Sequence, residues 1–178
     1  QYNLIGIIYM INILIVDDHS IVREGLKRII DDTPDIKIVA EASSGKKAMD
    51  LIYNNKYDLI LLDISMPKQN GLQTLKLIKK HDKTIQVLML SMHSEEQYAM
   101  RSIKAGASGY ITKDTASSQL VTAIRKINKG RKFISKEVAE LLATDLYHHE
   151  EKDPHEYLSN REFEILKMIA NGTTIKSI

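Results

Sequence analysis

Cysteine is absent from the 178-residue chain, which excludes structural disulfides, cysteine nucleophiles and every thiolate metal site. Tryptophan is absent as well, and aromatic residues make up only 6%, too few for platforms on which single-stranded nucleic acid could stack. There is little excess charge of either sign. The formal net charge is +2, so bulk electrostatics does not draw the chain to a polyanion. The charge is unevenly placed: residues 1–135 carry 20 Lys/Arg against 14 Asp/Glu, and residues 136–178 carry 5 against 9. A nucleic-acid surface in the last segment would therefore not be visible by charge. Nor is there a long hydrophobic run. The uncharged stretch from Leu4 to Val16 has 13 residues, short of the roughly 20 that span a bilayer. No basic segment precedes it and no small-residue cleavage site follows before Asp17, so no membrane association is expected and the protein reads as cytoplasmic. Met10 reads as a natural start, with residues 1–9 an upstream extension.

What is present is 43% hydrophobic and 27% charged residues, the composition of a packed globular core. A short apolar, β-rich stretch followed by a helical pattern occurs five times. The strands are predicted at 11–16, 36–40, 58–62, 85–90 and 108–112. The helices are predicted at 21–31, 44–54, 72–80, 95–105 and 117–129. Ile21, Val22, Leu26, Ile29 and Ile30 share one helix face, as do Leu120, Val121, Ile124 and Ile127. Near-continuous Ile/Leu/Val strands imply burial on both faces, the habit of parallel sheets between helix layers. A doubly wound α/β domain over 10–135 follows.

After Gly130 the alternation stops. A helix is predicted over Lys136–Tyr147, with Val138, Leu141, Leu142 and Leu146 as its stripe. Residues 148–155 are polar, contain Pro154 and lack periodicity, so 136–155 reads as a linker with one helix. Ser159-Asn-Arg-Glu162 forms a capping box. Phe163, Ile165, Leu166, Ile169 and Ala170 make an apolar face that Asn171-Gly172 closes, and a further helix begins near Thr174.

In open α/β sheets, ligands bind beyond the carboxyl ends of the strands. Those ends carry Asp17 and Asp18, then Asp63, then Ser91, then Lys113. Three converging carboxylates repel one another unless a cation joins them, and oxygen ligands without cysteine favour a hard ion such as Mg²⁺. An ammonium and a hydroxyl opposite suit an incoming phosphoryl group. Taken singly, each residue has a plainer reading: Asp17-Asp18 as a helix cap, Asp63 as a turn residue, Lys113 as a solvated lysine, Ser91 as a cap, Tyr110 as a half-buried strand residue. His148, His149 and His155 read as solvated linker residues and the methionines as packing. Joint placement at four strand ends is what singles the set out.

Asp17-Asp18, Asp63-Ile-Ser-Met-Pro67 with Gly71, Ser91, Gly109-Tyr110 and Lys113 together resemble the receiver domain of two-component response regulators. The stretch from Leu158 to Gly172 resembles the opening of a LuxR-type helix-turn-helix, and the combination resembles the NarL/FixJ subfamily. That resemblance implies a CheY-like five-stranded parallel sheet of order 2-1-3-4-5, followed by the linker and an incomplete helix-turn-helix over 156–178. It implies Asp63 as the phospho-acceptor, served by a sensor histidine kinase. Mg²⁺ would be held by Asp18, Asp63 and the Ser65 backbone carbonyl, with Asp17 acting through water. Lys113 and Ser91 would each hold a phosphoryl oxygen, and Tyr110 would switch inward when Ser91 moves. The output would be a homodimer formed on phosphorylation, or release of the tail. DNA would be bound by a full-length protein and not by this chain, whose module lacks about two helices including the one that enters the major groove. Ser65 and His93 occupy the positions that tune phosphate lifetime, and Asp114 stands where many receivers have proline.

Other functions compete. A haloacid-dehalogenase-type phosphohydrolase needs a second aspartate two residues after a nucleophile on the first strand, where His19 stands. A flavodoxin-like cofactor binder needs a phosphate loop where Asp17-Asp18-His19 would repel one. A receiver acting through protein contacts alone would lack the DNA output.

Overall fold

A computed structural model describes residues 10–66, 70–92, 96–147 and 162. The sequence expectations for residues 1–9 and for the linker at 148–155 lie outside the described residues, as do those for Pro67, His93 and the tail. Glu162 alone of the tail is described, as an exposed helical residue.

Five β–α units follow one another: β1 (Ile11–Val16), α1 (Ser20–Asp31), β2 (Ile36–Ala42), α2 (Gly45–Asn54), β3 (Leu59–Asp63), α3 (Gly71–His81), β4 (Gln86–Ser91), α4 (Glu96–Lys104), β5 (Gly109–Thr112) and α5 (Ala116–Asn128). A further helix, α6, spans Lys136–Tyr147. All strand pairs are parallel and their order is β2-β1-β3-β4-β5, as the sequence reading expected. The chain divides into two compact units, 1–139 and 140–178.

The aliphatic strands explain the layering. Ile13, Ile15, Leu59, Leu61, Leu88 and Leu90 form one buried cluster with Leu26 and Ile30 of α1 and Leu120, Ile124 and Ile127 of α5. Leu14, Val16, Ile60, Leu62 and Met89, alternating with them, are equally buried and face the other layer, where α2 packs on α3. Each fully buried Leu or Ile contributes about 1.5–3 kcal/mol, so the central strands cannot slide in register without large loss. That rigidity fixes where their carboxyl ends lie.

Three local features depart from the sequence reading. The carboxyl ends of β3 and β4 run one residue further than predicted, so Asp63 and Ser91 are the last residues of strands and not the first of loops. β2 runs two residues further, to Ala42. It also carries a bulge: Ile13 pairs with Ile38 and Leu14 with Ala40, leaving Val39 out of the ladder and 44% exposed. Finally, the segment after α5 is more than a domain end. Gly130, at φ 75°, turns the chain back, and Phe133 then pairs alongside β5, donating to Ser108 O and accepting from Tyr110 N, both at 3.0 Å. This covers an edge strand that would otherwise present open backbone groups.

Helix starts follow from caps. Ser44 Oγ accepts from Lys47 N at 3.3 Å for α2, and Asn70 Oδ1 accepts from Gln73 N at 2.9 Å for α3. α1 begins differently: its N-cap is His19, without a side-chain bond, so Asp17 and Asp18 are not spent on capping. Gly71 lets α3 start directly against the end of β3, where its N–H donates to Ile64 O at 2.9 Å. A Cβ on Gly71 would stand 2.7 Å from Ile64 Cα and closer still to the Asp63 carbonyl oxygen. Gly71→Ala is therefore expected to destabilise the fold by about 1–3 kcal/mol through overpacking. Gly25→Ala in α1, where nothing lies within 4 Å of the added carbon, should stabilise it by about 0.5–1 kcal/mol. Thermal unfolding of the two variants checks both signs.

Candidate functional site

The carboxyl ends of β1, β3, β4 and β5 bring Asp17, Asp18, Asp63, Ser91 and Lys113 to one edge of the sheet, because the strands are parallel and in register. Asp17 and Asp63 are fully buried, Asp18 is partly exposed, and Ser91 is fully buried. Lys113, whose side chain is only 10% exposed, sets its ammonium 2.7 Å from Asp17 Oδ2 and 2.9 Å from Asp63 Oδ2. It is mostly buried and paired, not a freely solvated lysine. Its backbone N–H donates to Ser91 O at 2.7 Å, so β4 and β5 are tied together at the site.

The loops are held as closely as the strands. Asp17 N donates to Ala42 O at 3.1 Å, and Asp17 Oδ1 accepts from His19 N at 2.8 Å. After β3, Ile64 N donates to Leu90 O at 2.9 Å and Ser65 N to Asp63 Oδ1 at 3.3 Å. Ser65 itself is exposed. The Lys113–Asp114 peptide is trans, so aspartate in that position leaves an ordinary backbone.

Burial raises the Asp63 carboxyl above its usual range, and the neighbouring Asp17 charge adds to this. The Lys113 ammonium pulls the other way without cancelling them. For Lys113, burial works against the charged form, but the two carboxylates outweigh it and its pKa is raised. Apart from the Lys113 ammonium, no hydrogen-bond donor among the described residues reaches Asp17 Oδ2 or Asp63 Oδ2, and Asp18 Oδ1 has only the His19 ring at 3.2 Å. Three carboxylates with under-served oxygens facing one point fit a hard divalent cation such as Mg²⁺. Ligand atoms of Asp17, Asp18, His19 and Asp63 lie within 4.8 Å of one another. The imidazole of His19 is the member that the sequence reading passed over, although its adjacency to the aspartate pair was the available signal.

Tyr110 on β5 is buried, at 9% exposure. It lines a cavity of about 510 Å³ together with Ala99, Phe133 and Val138. The sequence expected it to be half-buried or a mobile switch, and it lies on the strand between Ser108 and Lys113, two strand positions before Thr112. Among the described residues no helix is long and apolar enough to cross a membrane.

Comparison with known proteins agrees with this geometry. The family model described as response regulator receiver domain matches residues 13–125. The chain is 36% identical over 170 residues to the response regulator UvrY of Escherichia coli K12, covering 95% of this chain and 78% of that protein. It is also 36% identical over 169 residues to the nitrate/nitrite response regulator protein NarL of the same strain, covering 93% and 78%. A crystal structure of a LuxR-family two-component response regulator from Aurantimonas sp. SI85-9A1 superposes with a TM-score of 0.70 at 34% identity. That match spans 78% of this chain and 99% of the other. The chain belongs to the response regulator receiver family, in its NarL/FixJ branch.

The raised Asp63 pKa has a stability consequence. In the metal-free fold, burial favours the protonated carboxyl. Asp63's favourable contribution is therefore complete below the unfolded value of 3.8 and is lost as pH rises through the raised folded value. Above that range the buried carboxyl costs stability. Asp63→Asn should raise the melting temperature of the metal-free protein at pH 7, and the difference should vanish as pH falls towards 3.8. Melting curves in chelator across that range test the sign.

Proposed function

We propose that this protein is a phosphorylation-switched response regulator, taking a phosphoryl group on Asp63 from the phosphohistidine of a sensor histidine kinase and controlling transcription through a C-terminal DNA-binding module. The observation that carries the reading is the Lys113 ammonium between the buried Asp17 and Asp63 carboxylates at the strand ends. A cation already lies beside the nucleophile, where charge on the transferred group would develop.

Asp63 is a fixed nucleophile, since β3 and the Ser65 N–H hold its carboxylate. A carboxylate oxygen forms the new P–O bond while the P–N bond to the donor imidazole breaks. Asp18, Asp63 and the Ser65 carbonyl would hold Mg²⁺, with Asp17 acting through water. When bound, that ion would offset the charge of the three carboxylates and of the phosphoryl oxygens. Lys113 and the Ser91 hydroxyl would then take one phosphoryl oxygen each. Movement of Ser91 would be felt at Tyr110 through the β4–β5 pairing, biasing two packings of the cavity beside Phe133 and Val138. A homodimer formed on phosphorylation is the expected assembly. The protein promotes its own phosphotransfer and dephosphorylation and has no separate substrate. The DNA-binding output is supported by the LuxR-type pattern at 158–172 and by matches to the relatives that run over nine-tenths of the chain. His19, standing two residues after Asp17, leaves a phosphohydrolase without its second aspartate.

Intact mass after incubation with acetyl phosphate and Mg²⁺ tests the reading. One acid-labile phosphate adduct is expected, absent without Mg²⁺ and absent in Asp63→Asn. An adduct retained in that variant would move the acceptor elsewhere. Lys113→Ala should keep Mg²⁺ binding within a few-fold and uncouple phosphorylation from dimerisation; normal dimerisation of the phosphorylated variant, measured by light scattering, would remove Lys113 from the switch.

A further inference from the structure

We propose that Arg23 is a positioning residue for the acidic pocket, acting as a bracket that holds the Asp17 backbone while Lys113 holds its carboxylate. The proposal rests on the receiver reading and adds to it a residue that touches no reacting atom. Arg23 lies in the first turns of α1 with its side chain only 18% exposed. Its Nη1 donates to the backbone carbonyl of Asp17 at 2.8 Å, while its Nε donates to Glu41 Oε2 at 2.9 Å. Asp17 is thereby held at four points. Its N–H goes to Ala42 O on β2 and its carbonyl to Arg23. Oδ1 goes to the His19 N–H, and Oδ2 to the Lys113 ammonium. Two of the four supports trace back to the neighbouring residues Glu41 and Ala42 at the end of β2.

The restraint has a reason. Ligand atoms of Asp17, Asp18 and Asp63 lie within 4.8 Å of one another, so mutual repulsion between the carboxylates favours opening the β1–α1 loop. A guanidinium can span a carbonyl and a carboxylate at once because its donors sit in a rigid fork, which a lysine ammonium lacks. Lys27 also pairs with Glu41, and with Glu24 at 2.8 Å, but does not reach the Asp17 loop. It serves as the internal control.

Three roles for Arg23 make different predictions for Mg²⁺. If it merely stabilises the fold, its loss lowers the melting temperature and leaves Mg²⁺ affinity alone. If it acts by charge, its loss removes a nearby positive group and tightens Mg²⁺. If it positions Asp17 and Asp18, its loss weakens Mg²⁺, in the way that removing an outer partner of a metal ligand costs about 10–100-fold. Calorimetric titration of the full chain with MgCl₂ separates them, with melting temperatures taken in chelator alongside. Arg23→Met is expected to weaken Mg²⁺ by about 10-fold or more. Phosphorylation by acetyl phosphate should then need correspondingly more Mg²⁺ yet approach the wild-type rate at saturation. Arg23→Lys should recover little of the loss and Glu41→Gln should show part of it, while Lys27→Met should match wild type. An unchanged or tighter Mg²⁺ constant in Arg23→Met, or full affinity in Arg23→Lys, overturns the bracket. Should Arg23→Met fail to fold, Arg23→Lys and Glu41→Gln carry the same comparison. Failure of the wild-type chain itself to bind Mg²⁺ would instead bring down the receiver reading, and the bracket with it.

Discussion

Everything at the carboxyl edge of the sheet depends on one ammonium group sharing itself between two buried carboxylates. Lys113 within 3 Å of both Asp17 and Asp63 is what lets two acidic side chains sit fully out of water at the ends of adjacent strands. The pairing does not neutralise the site: Asp63 remains raised in pKa and Asp18 adds a third carboxylate. The pocket is thus a stable fold around an unfinished charge balance, one whose donor set fits a divalent cation.

That imbalance connects stability to signalling. Under the proposed function, a site held together by one cation would respond to an arriving dianionic phosphoryl group, because Lys113 would then have a stronger partner than either aspartate. Lys113 follows directly on the strand that carries Tyr110, and its N–H is bonded to Ser91 O. Under the same proposal a rearrangement at the ammonium would be felt in β5, which is bonded on its far edge to Phe133, three residues before α6 begins. Such a route would need no long-range wire, only the backbone of one short strand.

Much of this was legible in the sequence because apolar periodicity is strong where burial is complete. The five strands, their helices and the residues at the strand ends follow from runs such as Leu59–Asp63 and from the aspartate, serine and lysine that break them. The relation of Lys113 to Asp17 and Asp63 follows from parallel topology. What the sequence concealed is of a different kind. Asp63 and Ser91 belong to strands because neighbouring strands supply ladder partners beyond the last aliphatic residue, a tertiary effect that a single segment cannot signal. Phe133 pairs with an edge whose position only the assembled sheet defines. Arg23 carries no sequence signal of its role, because its partners lie 6 and 18 positions away. The assignments of Ser65 and His93 as tuning positions rest on resemblance alone.

The bulge at Val39 carries one more consequence. Ile36 and Ile38 face the α1–α5 core, so strict alternation would turn Glu41 away from α1 and leave Ala40 and Ala42 facing it. The extra residue reverses the alternation halfway along β2, much as a one-base insertion changes a reading frame. Upstream of it the strand is read for packing; downstream it is read for polarity, with Glu41 facing Arg23 and Lys27. A single unpaired residue on an edge strand therefore joins two side-chain programmes in seven residues. Removing it would leave the hydrophobic half untouched while turning the supporting half of the site to the wrong face.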